Sequence, residues 1–237
     1  MTNILKKHNV VIGKNVRLGA NITFGYNIVI EDNVVINDNV QIYNNTVIGQ
    51  KPFSTRLLTR KSKLYKSTII GKDVVIGSGT VIYSDCTIGD KTIIADAVNI
   101  RENVRIGKEC IIGNGVTINI NTQLKDRVRV LNSSHITADT VIEEDVFISV
   151  HVCSTNDNNM DRTPYHYKGV HIKKRATIGA GAVFLPNITV GKDSVVGAGA
   201  VVTKDVPDNK VVMGIPARIV KDTPKRLLLT DWKDWKK

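Results

Sequence analysis

Aromatic side chains are scarce, at 5 % of 237 residues. A conventional sandwich or helix-bundle core draws much of its bulk from them, so this chain needs another core filler. No apolar run approaches the roughly 20 residues that span a bilayer. The opening Met-Thr-Asn-Ile-Leu-Lys-Lys lacks the apolar stretch of a secretory signal. These absences predict a cytoplasmic protein that does not enter a membrane. Cysteine is sparse too: Cys86, Cys110 and Cys153 fit reduced thiols better than a disulfide framework. Negative charge runs short, with 22 Asp+Glu against 33 Lys+Arg and a net charge of +11. That imbalance points to an anionic partner, whether nucleic acid, a membrane surface or phosphorylated small molecules. Hydrophobic residues at 42 % and charged residues at 23 % exclude a disordered chain. The length allows one large domain or two small ones.

What the chain does have is a period of six. Ile12, Leu18, Phe24, Ile30, Ile36, Ile42 and Ile48 fall every sixth residue, and all are apolar. Two places earlier stand Val10, Val16, Ile22, Ile28, Val34, Val40 and Thr46, which are small or β-branched. The phase restarts at Ile70 and runs in sixes through Ile100, Ile118 and Ile136 to Ile148. A third tract runs from Ile172 through Ile178, Phe184, Val190 and Val196 to Val202. Gly, Asn, Asp and Lys fill the intervals and tolerate the backbone angles of a corner. Period six matches neither a helix nor an uninterrupted strand. It reads as a short strand and a corner, repeated. A sandwich of many short strands is the alternative, and it would not hold one register for so long.

The pattern resembles the hexapeptide-repeat transferases, and the resemblance covers nearly the whole chain. It implies an all-β fold, a left-handed parallel β-helix in which three hexads make one triangular coil and residues 18 apart stack. Stacked Ile and Val columns then supply the core that aromatics do not. Cys86 and Cys110 fall at the inward small position and read as inert core thiols. The coils are expected over 1–206, with a tail over 207–237. Thr223 and Pro224 suggest a cap and first turn for a short helix over 224–236. Two excursions break the repeat, near 50–68 and 155–171. The first is basic and carries no acid between Gln50 and Lys66; the second reads NDNNMDRTPYHYKG from Asn156 to Gly169. Long loops in compact domains are more often functional than idle.

Stacking turns spacing into geometry at two places. Residues 179–183 and 197–201 both read Gly-Ala-Gly-Ala-Val and lie 18 apart. One above the other, they form a strip almost bare of side chains, open to a long, thin ligand or serving only to ease a tight corner or a subunit contact. This region is similar to the acetyltransferase branch of the family, through AxIGAGAxxxPxxxxGxxxxVGAGAVVTKDVP over 176–207 and GIPAR over 214–218. The resemblance implies that acetyl-CoA is the cosubstrate and that no metal is required. Its pantetheine arm would lie against Ala180 and Ala198, between neighbouring subunits of a homotrimer. Lys204 and Arg218 are the first candidates for the phosphates, and Lys173, Lys174 and Arg175 a second set.

The second place is a polar column. Asn99, Arg101 and Asn103 stack with Thr117, Asn119 and Asn121, then His135, Thr137 and Asp139, then Cys153, Thr155 and Asp157. His135 alone among five histidines lies in it, as a base for an attacking amine or hydroxyl or merely as a cap on a corner carbonyl. Asp139, Asn119 or a carbonyl would orient its other nitrogen. Arg101, Asn119, Asn121 and Asp139 are acceptor-binding candidates. Asn156, Asp157 and Asn158 join them because their segment resembles the acceptor-binding stretch of relatives.

The leading expectation is acetyl transfer from acetyl-CoA to the amine of an amino sugar carried on a nucleotide, by direct attack in a ternary complex. A sugar O-acetyltransferase is the alternative. A metal hydratase is the next class, since the γ-class carbonic anhydrases share the coil and His166 and His171 lie five apart. A non-catalytic polyanion binder is the last. The basic segments lack interleaved aromatics for nucleic-acid stacking, and coenzyme A with a sugar nucleotide accounts for the charge.

Overall fold

The computed structural model describes residues 8–53, 67–160, 162–163 and 166–228. Short strands wind into a left-handed parallel β-helix whose three faces are sheets of 10, 9 and 11 strands, parallel except for the last strand of the third. The first face runs from Val10–Ile12 to Val201–Val202, the second from Arg17–Leu18 to Thr189–Val190, and the third from Thr23–Phe24 to Arg218–Asp222. The register is the one the sequence predicts: Ile82 stands on Ile100, Ile100 on Ile118, and Ile118 on Ile136.

The hexad explains each corner. The third residue after the inward Ile takes a left-handed conformation, as at Asn15 (φ 57°), Asn33 (60°) and Asn121 (61°). Asn and Asp pay least for that conformation. Their amides then bond to one another up the corner, as in Asn9 to Asn27 (3.0 Å) and Asn27 to Asn45 (3.2 Å). At two such positions an arginine is answered by a carboxylate one coil on. Arg127 grips Asp145 and Arg175 grips Asp193, each with a contact of 2.6 Å.

Ile and Val columns fill the interior, with Ile28, Ile48, Ile70, Ile100, Ile118 and Ile148 fully buried. Each buried Ile contributes about 1.5–3 kcal/mol of transfer free energy, and no coil can bury its own face without a neighbour. Phe184 is the largest side chain enclosed. Two inward hydroxyls show how backbone satisfies them: Thr80 Oγ1 donates to the Ala95 carbonyl at 2.8 Å, and Ser134 Oγ to that of Ser149 at 3.0 Å. Burial pushes the Cys86 thiol up to about 12 and that of Cys110 to about 11, so both stay protonated and unreactive.

Both excursions return to the same columns. Ile36 pairs with Ile70 and Val141 with His171. Residues 54–66, most of the basic stretch, lie outside the described residues. The tail departs from expectation. Lys210–Met213 folds back on Arg218–Asp222 as an antiparallel pair closing the third sheet. Only a 3-10 turn, Lys225–Leu227, follows it among the described residues, and 229–236 lie outside them. Thr223 is not a helix cap: its side chain is buried and Oγ1 donates to the Asp193 carbonyl at 2.9 Å, pinning the tail to the last coils. Among the described residues, no helix is long and apolar enough to cross a membrane.

Candidate functional site

The three corners of the prism are not alike. At the corner leading from the third sheet into the first, the left-handed residues begin as Asn9, Asn27 and Asn45 and then become Gly79, Ala97, Gly115, Ser133, His151, Gly181 and Gly199. Backbone hydrogen bonds hold this column together. The N–H of Gly199 reaches the Ala180 carbonyl at 2.8 Å, that of Gly181 the Val150 carbonyl at 3.0 Å, and that of His151 the Asn132 carbonyl at 3.0 Å.

The glycines of the duplicated Gly-Ala-Gly-Ala-Val segment have different causes. A Cβ on Gly179 would lie 2.4 Å from the Ala198 nitrogen, so the coils can stack there only without one. Glycines throughout the helix share that role: a Cβ on Gly77 or Gly107 would also meet the backbone of the next coil. Gly181 and Gly199 are another matter. A Cβ on either would meet nothing within 4 Å, and only φ near +68° disfavours it. Gly179→Ala should therefore cost clearly more stability in a denaturant titration than Gly181→Ala, whose penalty is the roughly 1–2 kcal/mol of a left-handed Ala. Equal costs would mean that the stacking distance does not dictate the glycine.

A second feature of this corner is a run of open backbone donors. From Ser78 upward, an Asp or Asn one coil on accepts the N–H at three successive steps: Ser78 to Asp96 (2.7 Å), Asp96 to Asn114 (3.2 Å) and Asn114 to Asn132 (3.1 Å). Above Asn132 the accepting position is occupied by Val150, Ala180 and Ala198, which have no side-chain oxygen. The N–H groups of Asn132, Val150 and Ala180 thus have no acceptor among the described residues. Ala198 is exposed and Ala180 half-buried, so a bare edge lined with peptide donors is open to solvent.

Of the cations, Lys204 is exposed just after the upper strip, and Arg218 is exposed with one guanidinium N–H on the Ala217 carbonyl at 2.9 Å. Arg175 is not brought to the strip. It occupies the neighbouring corner, clasped by both oxygens of Asp193 at 2.6 and 2.7 Å. Lys173 stands 3.9 Å from Asp208, and Lys174 gives its backbone N–H to Glu143 at 2.9 Å.

The polar column divides in two. Register places His135 between Thr117 and Cys153 on the first sheet, facing out. The Asn119 amide nitrogen lies 3.0 Å from His135 Nε2. Donation by that amide makes Nε2 an acceptor and puts the neutral ring's proton on Nδ1; the opposite amide orientation would leave the Nδ1 lone pair free. Desolvation pushes the His135 pKa below its ordinary 6.5, which keeps the ring neutral at physiological pH. Of the three candidates for orienting the ring, it is Asn119 that makes the contact.

The other half of the column serves the corner. Asn103 donates to Asn121 at 2.8 Å and Asn121 to Asp139 at 2.9 Å, so Asn121 and Asp139 belong to a ladder and stand in left-handed conformations. Thr137, expected to face outward, is buried. Arg101 is also committed: it lies over the Tyr83 ring at 4.7 Å and pairs with buried Glu102 at 2.9 Å. Spacing placed all these residues on one edge, but it could not tell a residue facing solvent from one spent on its neighbour.

In the second excursion, the Asp157 carboxylate accepts the Asn159 N–H at 2.7 Å, and the Asn159 amide reaches Thr163 at 2.6 Å. Asn156 is half-buried and Asn158 exposed at the start of this turn, three residues beyond Cys153. His171 carries its Nε2 on Glu143 at 2.8 Å. Among the described residues, no three of His, Cys, Asp and Glu gather as a metal site. His151 carries no motif that singles it out in the sequence. Its spacing, three after Ile148 as Gly181 is three after Ile178, was the available signal.

The bacterial transferase hexapeptide model matches residues 67–102 and 169–204, and the hexapeptide repeat of succinyl-transferase matches 9–50. The galactoside O-acetyltransferase of Lactococcus lactis is 35 % identical over 33 % of this chain and 44 % of its own length. The serine acetyltransferase of Buchnera aphidicola is 44 % identical over 34 % of this chain and 30 % of its own. The matched stretches thus span less than half the length of these curated relatives. The UDP-N-acetylglucosamine acyltransferase of Campylobacter jejuni superposes on 96 % of this chain and 79 % of its own, with a TM-score of 0.60 and 17 % identity, a likeness of fold.

Proposed function

Since hexapeptide-repeat transferase models match three stretches of the chain, we propose that it is an acetyl-CoA-dependent acetyltransferase acting on the amine of an amino sugar, carried on a nucleotide. The observation that carries this reading is the bare edge at Gly181 and Gly199, with open N–H groups at Val150 and Ala180. Pantetheine is long, thin and rich in amide carbonyls. An edge without side chains admits it, and peptide donors bind it without charge. Lys204 and Arg218 then meet its phosphates, and nothing is asked of Arg175.

The acceptor lies on the outward polar face with His135 and Asn119, bounded by Asn156, Asp157 and Asn158. Its nitrogen attacks the thioester carbonyl, the carbon–sulfur bond breaks, the thiolate of coenzyme A departs, and the nitrogen's proton passes to His135. Holding the two substrates together supplies most of the rate. Acetyl-CoA is made and used in the cytoplasm, where this reading places the chain. The similarity to a galactoside O-acetyltransferase favours a sugar hydroxyl as the second reading, for which a neutral imidazole base matters more.

Thiol release from acetyl-CoA, measured against amino-sugar nucleotides and against simple sugars, tests both. Release only with a nucleotide-linked amine supports the first reading, release with galactosides the second, and release with none refutes both. The same reading expects a homotrimer with the edge of each subunit covered by the next. Light scattering at micromolar concentration should report three chains, and a monomer would overturn that assembly.

A further inference from the structure

The bare edge does not run on without interruption. Between Gly79 and Gly199, a single left-handed residue of that corner is larger than serine, and it is His151. It sits in the column directly below Gly181 and above Ser133, joined through the Gly181 N–H to the Val150 carbonyl and its own N–H to the Asn132 carbonyl, each at 3.0 Å. Its side chain is exposed and has no hydrogen-bonding partner among the described residues. The adjacent Val150 N–H is one of the open donors of this corner. A thin ligand lying over Gly199 and Gly181, and heading toward the coil of His135, ends against this imidazole. His135 is register-paired with Cys153, two residues after His151, so the two histidines lie on adjacent coils at one end of the strip.

We infer that His151 is a second catalytic residue: its ring N–H donates to the carbonyl oxygen of the thioester, next to the Val150 N–H, as negative charge develops there. This rests on the acetyl-CoA reading above and adds a role that His135 does not fill. One imidazole takes the proton from the acceptor, while the other steadies the oxyanion without giving up its own. A side-chain donor set beside a backbone N–H is the usual composition of such a hole, and removing one donor lowers turnover by roughly 10²–10³-fold.

Two measurements test it without knowledge of the acceptor. The first uses bromoacetyl-CoA on a Cys153→Ser background, which removes a competing thiol. An imidazole nitrogen beside the acyl group displaces bromide and forms a carbon–nitrogen bond, its proton going to buffer. Peptide mass mapping should find the label on His151, and excess coenzyme A should protect it. Label on His135 instead, or none while calorimetry shows coenzyme A bound, overturns the inference alone. Failure to bind coenzyme A removes the acetyl-CoA reading and this role together. The second follows acetyl-CoA hydrolysis with water as acceptor. His151→Ala should lose the roughly 10²–10³-fold above, and His151→Asn, which keeps an N–H donor, should recover most of it. Equal losses in the two variants overturn the donor role.

Discussion

His135→Ala is expected to lower acetyl-transfer turnover by roughly 10²–10⁴-fold, the range for loss of a general base. Coenzyme A affinity should barely change, because the bare edge at Gly181 and Gly199 lies on later coils. The pH profile gives an independent check. Only the neutral ring accepts a proton, and desolvation holds the pKa of His135 below 6.5. The rising limb should therefore have its midpoint below 6.5, with activity level by neutral pH. Removing His135 should remove that limb. An amine acceptor adds a rise of its own at higher pH, from loss of its own proton, and this rise should survive in the variant. Near-wild-type turnover in His135→Ala would leave positioning as the whole mechanism. Asn119→Ala should have a smaller effect, since it frees the ring's orientation without removing the base.

Ala198→Trp should abolish coenzyme A binding while the coils stay folded. The Ala198 side chain is exposed, so added bulk projects outward from the corner and not into the Ile columns. It would cover the position where the open Ala180 N–H meets a ligand. Calorimetry should show Kd rising by roughly 100-fold or more, about 2.7 kcal/mol, with an unfolding midpoint near that of the unmodified chain. Unchanged affinity in a folded variant would reduce the strip to a packing device.

How much of this was legible in the chain alone differs between core and surface. Periodicity specified the columns, because a buried Ile every six residues satisfies one arrangement and few others. The return of register after each excursion was legible for the same reason. The tail was not: Thr223-Pro224 carries the local chemistry of a cap, but the Asp193 carbonyl claims the threonine hydroxyl across 30 residues of chain. At the site, spacing found His135 and Asn119 on one edge. It also gathered Arg101, Asn121 and Asp139, whose polar groups are spent on Glu102 and on the corner ladder. A polar residue at an outward position looks the same in sequence whether its partner is a substrate or the next coil. The open donors at Val150 and Ala180 were hidden for another reason. They show only as Asp and Asn missing from positions that other coils fill, and a missing cap leaves no mark of its own in the sequence.

The two excursions have a further consequence. Ile36 meets Ile70 after 34 residues and Val141 meets His171 after 30, where uninterrupted coils take 18, and the Ile columns keep their phase across both, with one local shift where Tyr83 pairs with Gln50. Each excursion is thus a cassette spliced into a scaffold that registers whether the chain comes back in phase. Inheritance can lengthen, shorten or exchange such a cassette without renegotiating the core. On the proposed reading, a change in the excursion would alter the acceptor side alone, while the bare edge, built from the coils themselves, is held by the same constraints that hold the fold.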